Sequence, residues 1–438
     1  MRTRLGVVIA VTFVVIGCTA NGQPSSSPAA GSTASPLPVL TEPASIPPSS
    51  SAPASTEPSQ AAALAWQKIA QNTGGDVVGF AGGYVALDSQ GNGSNVLYSA
   101  DGRTWTSVAL PFRASKDPHG IPLEANAMGI AADGPEVIVV GGYGHVPCTP
   151  QAAGETGAGP ACPSSPISWL SSDGTHWQTS FPWRGPGAPK GFSQGNAFST
   201  VWAVPTGGWD AAAEDVAGEA GAAGGIFHST DGLSWAALPS SPPTTLKEAP
   251  NPTELWDVGL ADQSGRRLVA GYWYPTGDSS VVGLFTTVDG QKWTAVDTFQ
   301  GANATVESGV TPDPNRSSLW MLAGADAMSL PTVWTSPDLN VWTAHHLPTA
   351  LSGAQGSLSA IAETHLGYVA LGSLSDGTDG NAYHSSWLSS DGIAWVQLAT
   401  PGTSGDDGPD VLADGPAGVI GFAQYNGSDV PPGVWLLK

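Results

Sequence analysis

Four cations and a histidine, gathered in two short stretches, are the residues of this chain best suited to hold a ligand. Arg113, Lys116 and His119 fall in the first stretch and Arg184 and Lys190 in the second, with Lys247 alone in a third. Glu124 follows the first group, Trp183 precedes Arg184, and Phe192 follows Lys190. A guanidinium grips a carboxylate or phosphate through two parallel hydrogen bonds, so this set suits an anionic group such as a sugar carboxylate or a phosphate. The competing reading is solvated loop charge, since isolated surface cations contribute little. Asp376, Asp379, Asp406, Asp407 and Asp410 carry the opposite sign near the C-terminus. Asp376-Gly377-Thr378-Asp379-Gly380-Asn381 could offer oxygens to Ca²⁺, yet it lacks the EF-hand spacing and its final Glu. It reads as an acidic loop, and no metal and no cofactor is assigned.

Other chemistries find little support. The chain contains no His-Glu-x-x-His and no phosphate-cradling glycine loop. Its formal charge is −22, and loss of Arg2 and Arg4 with an N-terminal leader makes it more negative. So acidic a body repels polyanions, which argues against nucleic acid as a partner.

The elements that must position the cations are set by a repeat. Ser99-Ala100-Asp101-Gly102-Arg103-Thr104-Trp105 returns as Ser171 to Trp177, Ser229 to Trp235, Thr287 to Trp293, Ser336 to Trp342 and Ser389 to Trp395. Intervals of roughly fifty to seventy residues between short β-rich units mean a propeller or a solenoid. Around each box stand two apolar segments, a third that ends in the box, and a fourth that starts at its Trp. In one unit these are Leu358–Ala362, Tyr368–Leu371, Ser386–Ser389 and Trp395–Leu398, each bounded by Gly, Asp, Pro or Ser. Four short strands per unit is a propeller blade. Units near 76–111, 126–181, 196–239, 254–298, 305–347 and 357–399 are complete, and one from about 409 to 438 lacks its fourth strand. Ala65-Trp66-Gln67-Lys68-Ile69-Ala70 matches Ala394 to Ala399, so the N-terminal strand is expected to complete a seventh blade and close the ring. The fold class is thus all-β, a seven-bladed propeller of four-stranded blades.

The box has a structural cause. Ser or Thr and Asp accept backbone N–H bonds across a tight turn, Gly tolerates positive φ, and Trp buries a large face. Trp169, Trp334, Trp387 and Trp435 recur at one place in the preceding strand and read as packing residues rather than sugar platforms. In such a ring the links between blades share one face with the turns between second and third strands. The cations at 113, 116, 184, 190 and 247 lie in links after blades one to three, on that face, while Arg103, Lys292, Arg266, Arg267 and Arg316 lie on the box face.

These boxes resemble the Asp-box, or BNR, repeats of sialidase-like propellers, and the resemblance runs over residues 64–438. The family usually places one residue between Asp and Gly; here the two are adjacent, and Asp338 is followed by Leu339. The resemblance implies that Asp101, Asp173, Asp231, Asp289, Asp338 and Asp391 form turns away from any catalytic face, in binding proteins and hydrolases alike. Sialidases of this kind use three Arg on the sugar carboxylate, a Tyr nucleophile with a Glu partner, an Asp acid and an Arg-Ile-Pro motif. No Arg-Ile-Pro occurs here, and only Arg113 and Arg184 are suitably placed, so no catalytic residue carries over.

The ends set the compartment. Residues 1–17 carry two Arg and an apolar stretch from Leu5 to Ile16, the pattern of a secretory signal and too short to span a membrane. Val15-Ile16-Gly17-Cys18 resembles a bacterial lipobox, in which Cys18 would be lipidated; an ordinary signal peptide with an incidental Cys is the alternative. Residues 18–62, rich in Ser, Pro, Ala and Thr, cannot bury a core and read as a tether, leaving 63–438 for the propeller. Cys148 and Cys162 share one long insertion in blade two, where an exported setting favours a disulfide over free thiols or a metal pair. The expected protein is a lipid-anchored extracytoplasmic propeller that binds an anionic glycan or a protein partner, with an exo-sialidase-like glycoside hydrolase as the alternative.

Overall fold

The computed structural model describes residues 64–71, 74–88, 94–112, 123–145, 164–180, 196–215, 223–240, 242, 256–276, 279–299, 304–313, 316–350, 353–375, 382–399, 408–423 and 433–438. All lie in one compact unit, Ala54–Lys438. The signal, the whole tether, Cys18, Cys148 and Cys162 fall outside the described residues. Among the described residues, strands form seven four-stranded antiparallel sheets. First strands run Gly74–Phe80, Leu123–Asp133, Asn196–Ala203, Trp256–Ala261, Thr305–Val310, Gln355–Thr364 and Val411–Gly415. Each touches the first strand of the next blade, and the seventh touches the first, so they form a closed inner ring. The molecule is the seven-bladed propeller that the repeat predicts.

Six boxes fold as one turn. In the first, Asp101 Oδ1 accepts the backbone N–H groups of Arg103 at 2.9 Å and Thr104 at 2.8 Å, and Ser99 Oγ lies 3.2 Å from the same oxygen. Ser171, Thr287, Ser336 and Ser389 accept the N–H three residues on through their hydroxyls. Backbone N–H bonds hold the carboxyls of Asp101, Asp173, Asp289 and Asp338 below the usual carboxylate range. At Asp231 and Asp391 burial pushes upward, but the hydrogen bonds together outweigh it. The five box glycines have φ of 67° to 77°, and Leu339 takes φ 71° in their place. A side chain there is strained. Leu339 is 4% exposed and packs with Leu284 and Trp334, so burial of its apolar surface offsets the strain. Fourth strands start one residue after the box Trp instead of at it, as at Thr106, Gln178 and Val396. In three boxes the indole N–H of Trp105, Trp177 and Trp395 bonds back to the carbonyl of the box Gly, which ties Trp to the turn.

The core lies between blades. One cluster joins Val77, Tyr84 and Leu97 of blade one to Ile420, Phe422 and Val434 of blade seven. Trp169 and Trp387 are fully buried and Trp334 and Trp435 are 5% exposed, as packing residues should be. Near the axis the first strands crowd, and a Cβ on Gly79 would stand 1.8 Å from the Asp414 carbonyl oxygen. The first strands of blades one to six also each slip register once, leaving Asp76, Met128, Ser199, Asp257, Glu307 and Ser359 at the slips. A bulge raises local twist and re-aims a side chain.

The ring closes as expected. Trp66–Gln71 pairs antiparallel with Gly433–Leu437 and becomes the outer strand of blade seven. Trp66 is 6% exposed and its indole N–H reaches Ser386 Oγ of blade six at 3.0 Å. Trp66→Ala should therefore cost about 3–5 kcal/mol in urea unfolding, the range for truncating a buried aromatic. Removing residues 64–71 should lower the melting temperature and promote edge-to-edge aggregation; midpoints equal to the parent's would refute the closure.

The box turns generate an acid prediction. A carboxyl whose folded pKa is depressed stabilises the fold above its unfolded value, near 4, and loses that contribution as pH falls through the folded value. The double variant Asp101→Asn/Asp391→Asn should melt below the parent at pH 7, and the gap should close as pH falls below the unfolded value and through the depressed folded ones. A gap independent of pH would show that the boxes act through shape alone.

Candidate functional site

The halves of the inner strands that lead into the first-to-second-strand turns enclose an axial cavity of about 550 Å³. In an antiparallel meander those turns share a face with the box turns. Val78, Ile130, Val258, Val310 and Ile361 supply apolar wall, while Glu307, Ser308 and Glu363 supply polar groups. The lining thus mixes apolar surface with polar groups, and polar groups at fixed places are what orients a ligand in a pocket.

Glu307 owes its position to the bulge of blade five, which sets it outside the strand pairing and against the cavity. Burial pushes its carboxyl up, outweighing hydrogen bonds from Thr305 and Tyr272. The Tyr272 hydroxyl comes from blade four, accepts the Val306 N–H at 2.7 Å, faces the Val306 carbonyl at 3.0 Å and lies 3.4 Å from Glu307 Oε1. The one phenolic proton has two acceptors within reach, the Val306 carbonyl and Glu307 Oε1, and serves one at a time. Asp76, at the equivalent bulge of blade one, keeps exposed surface while surrounding protein pushes its carboxyl up as well.

Glu363 closes the cavity at the turn face. Burial raises its carboxyl, and the nearby Asp313 carboxyl raises it further through charge and a hydrogen bond; Arg316, 3.2 Å away, pulls the other way without prevailing. Arg316 also donates from Nη1 to the Thr364 carbonyl, so one guanidinium ties blade five to blade six. The neighbouring tie is His365 to Asp414, blade six to blade seven, with the His365 backbone N–H at 2.6 Å and Nδ1 at 2.8 Å from the two carboxylate oxygens. Arg267 pairs with the fully buried Asp210, which His228 Nδ1 also reaches at 2.7 Å, and Arg266 stacks 5.7 Å from the centre of the Trp320 ring. The turn face is thus belted by blade-to-blade ties.

Arg266, Arg267 and Arg316 stand on the turn face, as the repeat implies; there Arg267 and Arg316 tie blades together, while Arg266 pairs with Asp262 of its own blade and stacks on Trp320 of the next. The six box Asp residues form turns, with no ligand role in their geometry. Arg113, Lys116, His119, Arg184 and Lys190, the expected anion site, fall outside the described residues. So does the acidic loop 376–381. Reading the sequence missed Asp76, Glu307, Glu363 and Tyr272. A signal existed for some of them: an acidic residue interrupts the first strand in Gly75-Asp76-Val77, Trp256-Asp257-Val258 and Val306-Glu307-Ser308, where alternation alone expects none.

No family model and no curated protein matches this chain. Solved structures do. A polysaccharide lyase, an ulvan lyase, aligns with a TM-score of 0.50 at 11% identity over 84% of this chain and 95% of its own. The sialidase of Trypanosoma rangeli aligns with a TM-score of 0.43 at 11% identity over 84% of this chain, which spans only 55% of the sialidase. A protein of unknown function from Dyadobacter fermentans gives a TM-score of 0.42 at 15% identity, covering 75% of this chain and 96% of that one. At such identities the likeness is one of fold, a propeller similar to those of sialidases and a polysaccharide lyase.

Proposed function

We propose that this chain is an exported, lipid-anchored propeller that binds a glycan. The observation that carries the reading is the axial cavity, walled by the inner strands of six blades and furnished with two carboxyls, Glu307 and Glu363. The ring fixes that wall rigidly, because every strand in it is paired on one side and packed against the next blade on the other. A preformed concave site loses little conformational freedom on binding. Support also comes from the shared fold of a polysaccharide lyase, in which a saccharide fragment is bound. The Cys18 anchor and the tether would hold this surface away from the membrane. An anion site on the opposite face, built from Arg113, Lys116, Arg184 and Lys190, would extend the range of ligands.

A glycoside hydrolase of exo-sialidase type is the second reading, favoured by the 3.4 Å approach of the Tyr272 hydroxyl to Glu307. A phenol beside a carboxyl able to take its proton is the pair that a Tyr nucleophile requires.

A glycan array carrying sialylated, uronic-acid, phosphate-bearing and neutral sugars should retain the parent protein. Acidic sugars should be lost selectively in Arg113→Ala/Arg184→Ala, and their retention should weaken with salt. An array with no retained sugar would overturn the glycan reading in favour of a protein partner. Turnover of a sialoside by the parent, abolished in Tyr272→Phe, would replace binding with catalysis. Separately, Cys18→Ser should abolish incorporation of labelled fatty acid; equal label in variant and parent would refute the anchor.

A further inference from the structure

The axial cavity does not end at Glu363. Pro205, Thr311 and Glu363 line both it and a second hollow of about 550 Å³ on the turn face, whose rim carries Gln263, Arg316 and His365. The two form one passage that opens on the face of the box turns. The chemistry of its mouth is mixed. Arg316 offers donors only, Asp313 and Asp414 chiefly acceptors, and Gln263 and Thr311 both. His365 Nδ1 faces Asp414, and among the described hydrogen bonds Nε2 has no partner. Deeper in, the wall turns apolar through Val258, Val310 and Ile361, with Ser308 Oγ held by the Ile361 N–H at 3.3 Å. Trp202 contributes to this wall while 6% exposed, and its indole N–H has no hydrogen-bond partner.

Three ligand classes can be weighed against this lining. An anion meets Glu307, Glu363, Asp313 and Asp414 against Arg316, inside a chain of formal charge −22, and is disfavoured. An amine would be served by carboxylates alone and would leave Arg316 and the amide of Gln263 opposed or unused. A neutral sugar uses everything: hydroxyl groups both donate and accept, and a pyranose presents a C–H face to apolar wall and aromatic ring. We propose that the passage is a subsite for a neutral sugar residue, entered from the box-turn face, with its hydroxyls held at the mouth and its apolar face on the inner wall. The proposal rests on the glycan reading and specifies its site and sugar class.

Gln263→Ala/Thr311→Ala trims the rim without touching a blade tie, and Pro205→Trp places a large ring at an exposed residue shared by the two hollows. Saturation-transfer NMR with methyl glycosides of neutral hexoses and deoxyhexoses, after melting curves confirm folding, should show a parent that binds and a rim variant about tenfold weaker. Pro205→Trp should abolish the transfer, while Arg113→Ala/Arg184→Ala should leave it intact. Neutral sugar binding unchanged in both passage variants, or binding confined to acidic sugars, would overturn the subsite and leave the glycan reading standing. A parent that binds no sugar of any class would overturn both.

Discussion

Seven strands must meet around one axis, and the space there is too small for seven ordinary side chains at every level. The chain meets this steric limit in two ways. Glycine stands where strands of neighbouring blades nearly touch, as at Gly79, and at Gly259, where a Cβ would lie 2.1 Å from the Trp202 ring. A register slip then removes one residue of each first strand from the pairing in blades one to six. The slipped residue belongs neither to the sheet nor to the packed face between blades. The axis is thus a place in the core region where a polar group can stand outside the ladder, and Glu307 occupies it.

Away from the axis the blades diverge, and apolar packing alone must hold a widening wedge. The outer parts are therefore closed by aromatic side chains and by polar ties of several kinds. Tyr84 of blade one donates to the Gly418 carbonyl of blade seven at 2.6 Å and accepts the Ala417 N–H at 3.0 Å. Arg267 reaches across to buried Asp210, Arg316 to Glu363, and His365 to Asp414. A buried pair such as Asp210 with Arg267 adds little net stability over an apolar substitute, yet removing one partner leaves an uncompensated charge. Such ties fix which blade face meets which, something that interchangeable Val and Ala contacts cannot do.

Most of the architecture was legible because it is periodic. The box repeats with its Ser, Asp, Gly and Trp, so a local turn written six times revealed the blade count, and the missing seventh box pointed to Trp66–Gln71 as the closing strand. Leu339 shows how a repeat survives a departure: the turn keeps its geometry because burial of the leucine supports the backbone conformation that glycine adopts elsewhere. The axial carboxyls were not legible in the same way. Each occurs once, and its place depends on a register slip produced by crowding among strands far apart in sequence. Glu363 is harder still, since its environment comes from Asp313 and Arg316 of another blade.

The same belt that joins the blades also rims the passage into the axis, and this couples two roles in single residues. Arg316 binds Glu363 and the Thr364 carbonyl, and it borders the hollow that any ligand entering from this face would fill. A ligand that competes for the Arg316 guanidinium must replace what blade six gives it; one that hydrogen-bonds to the unused edges of Arg316 and Glu363 leaves the tie in place. Neutral hydroxyl groups meet the second condition, because they can bridge a donor and an acceptor without taking charge from either. A strongly acidic or basic group meets the first, breaking a contact between blades in order to bind. The turn face is therefore suited to ligands that add to its hydrogen-bond network.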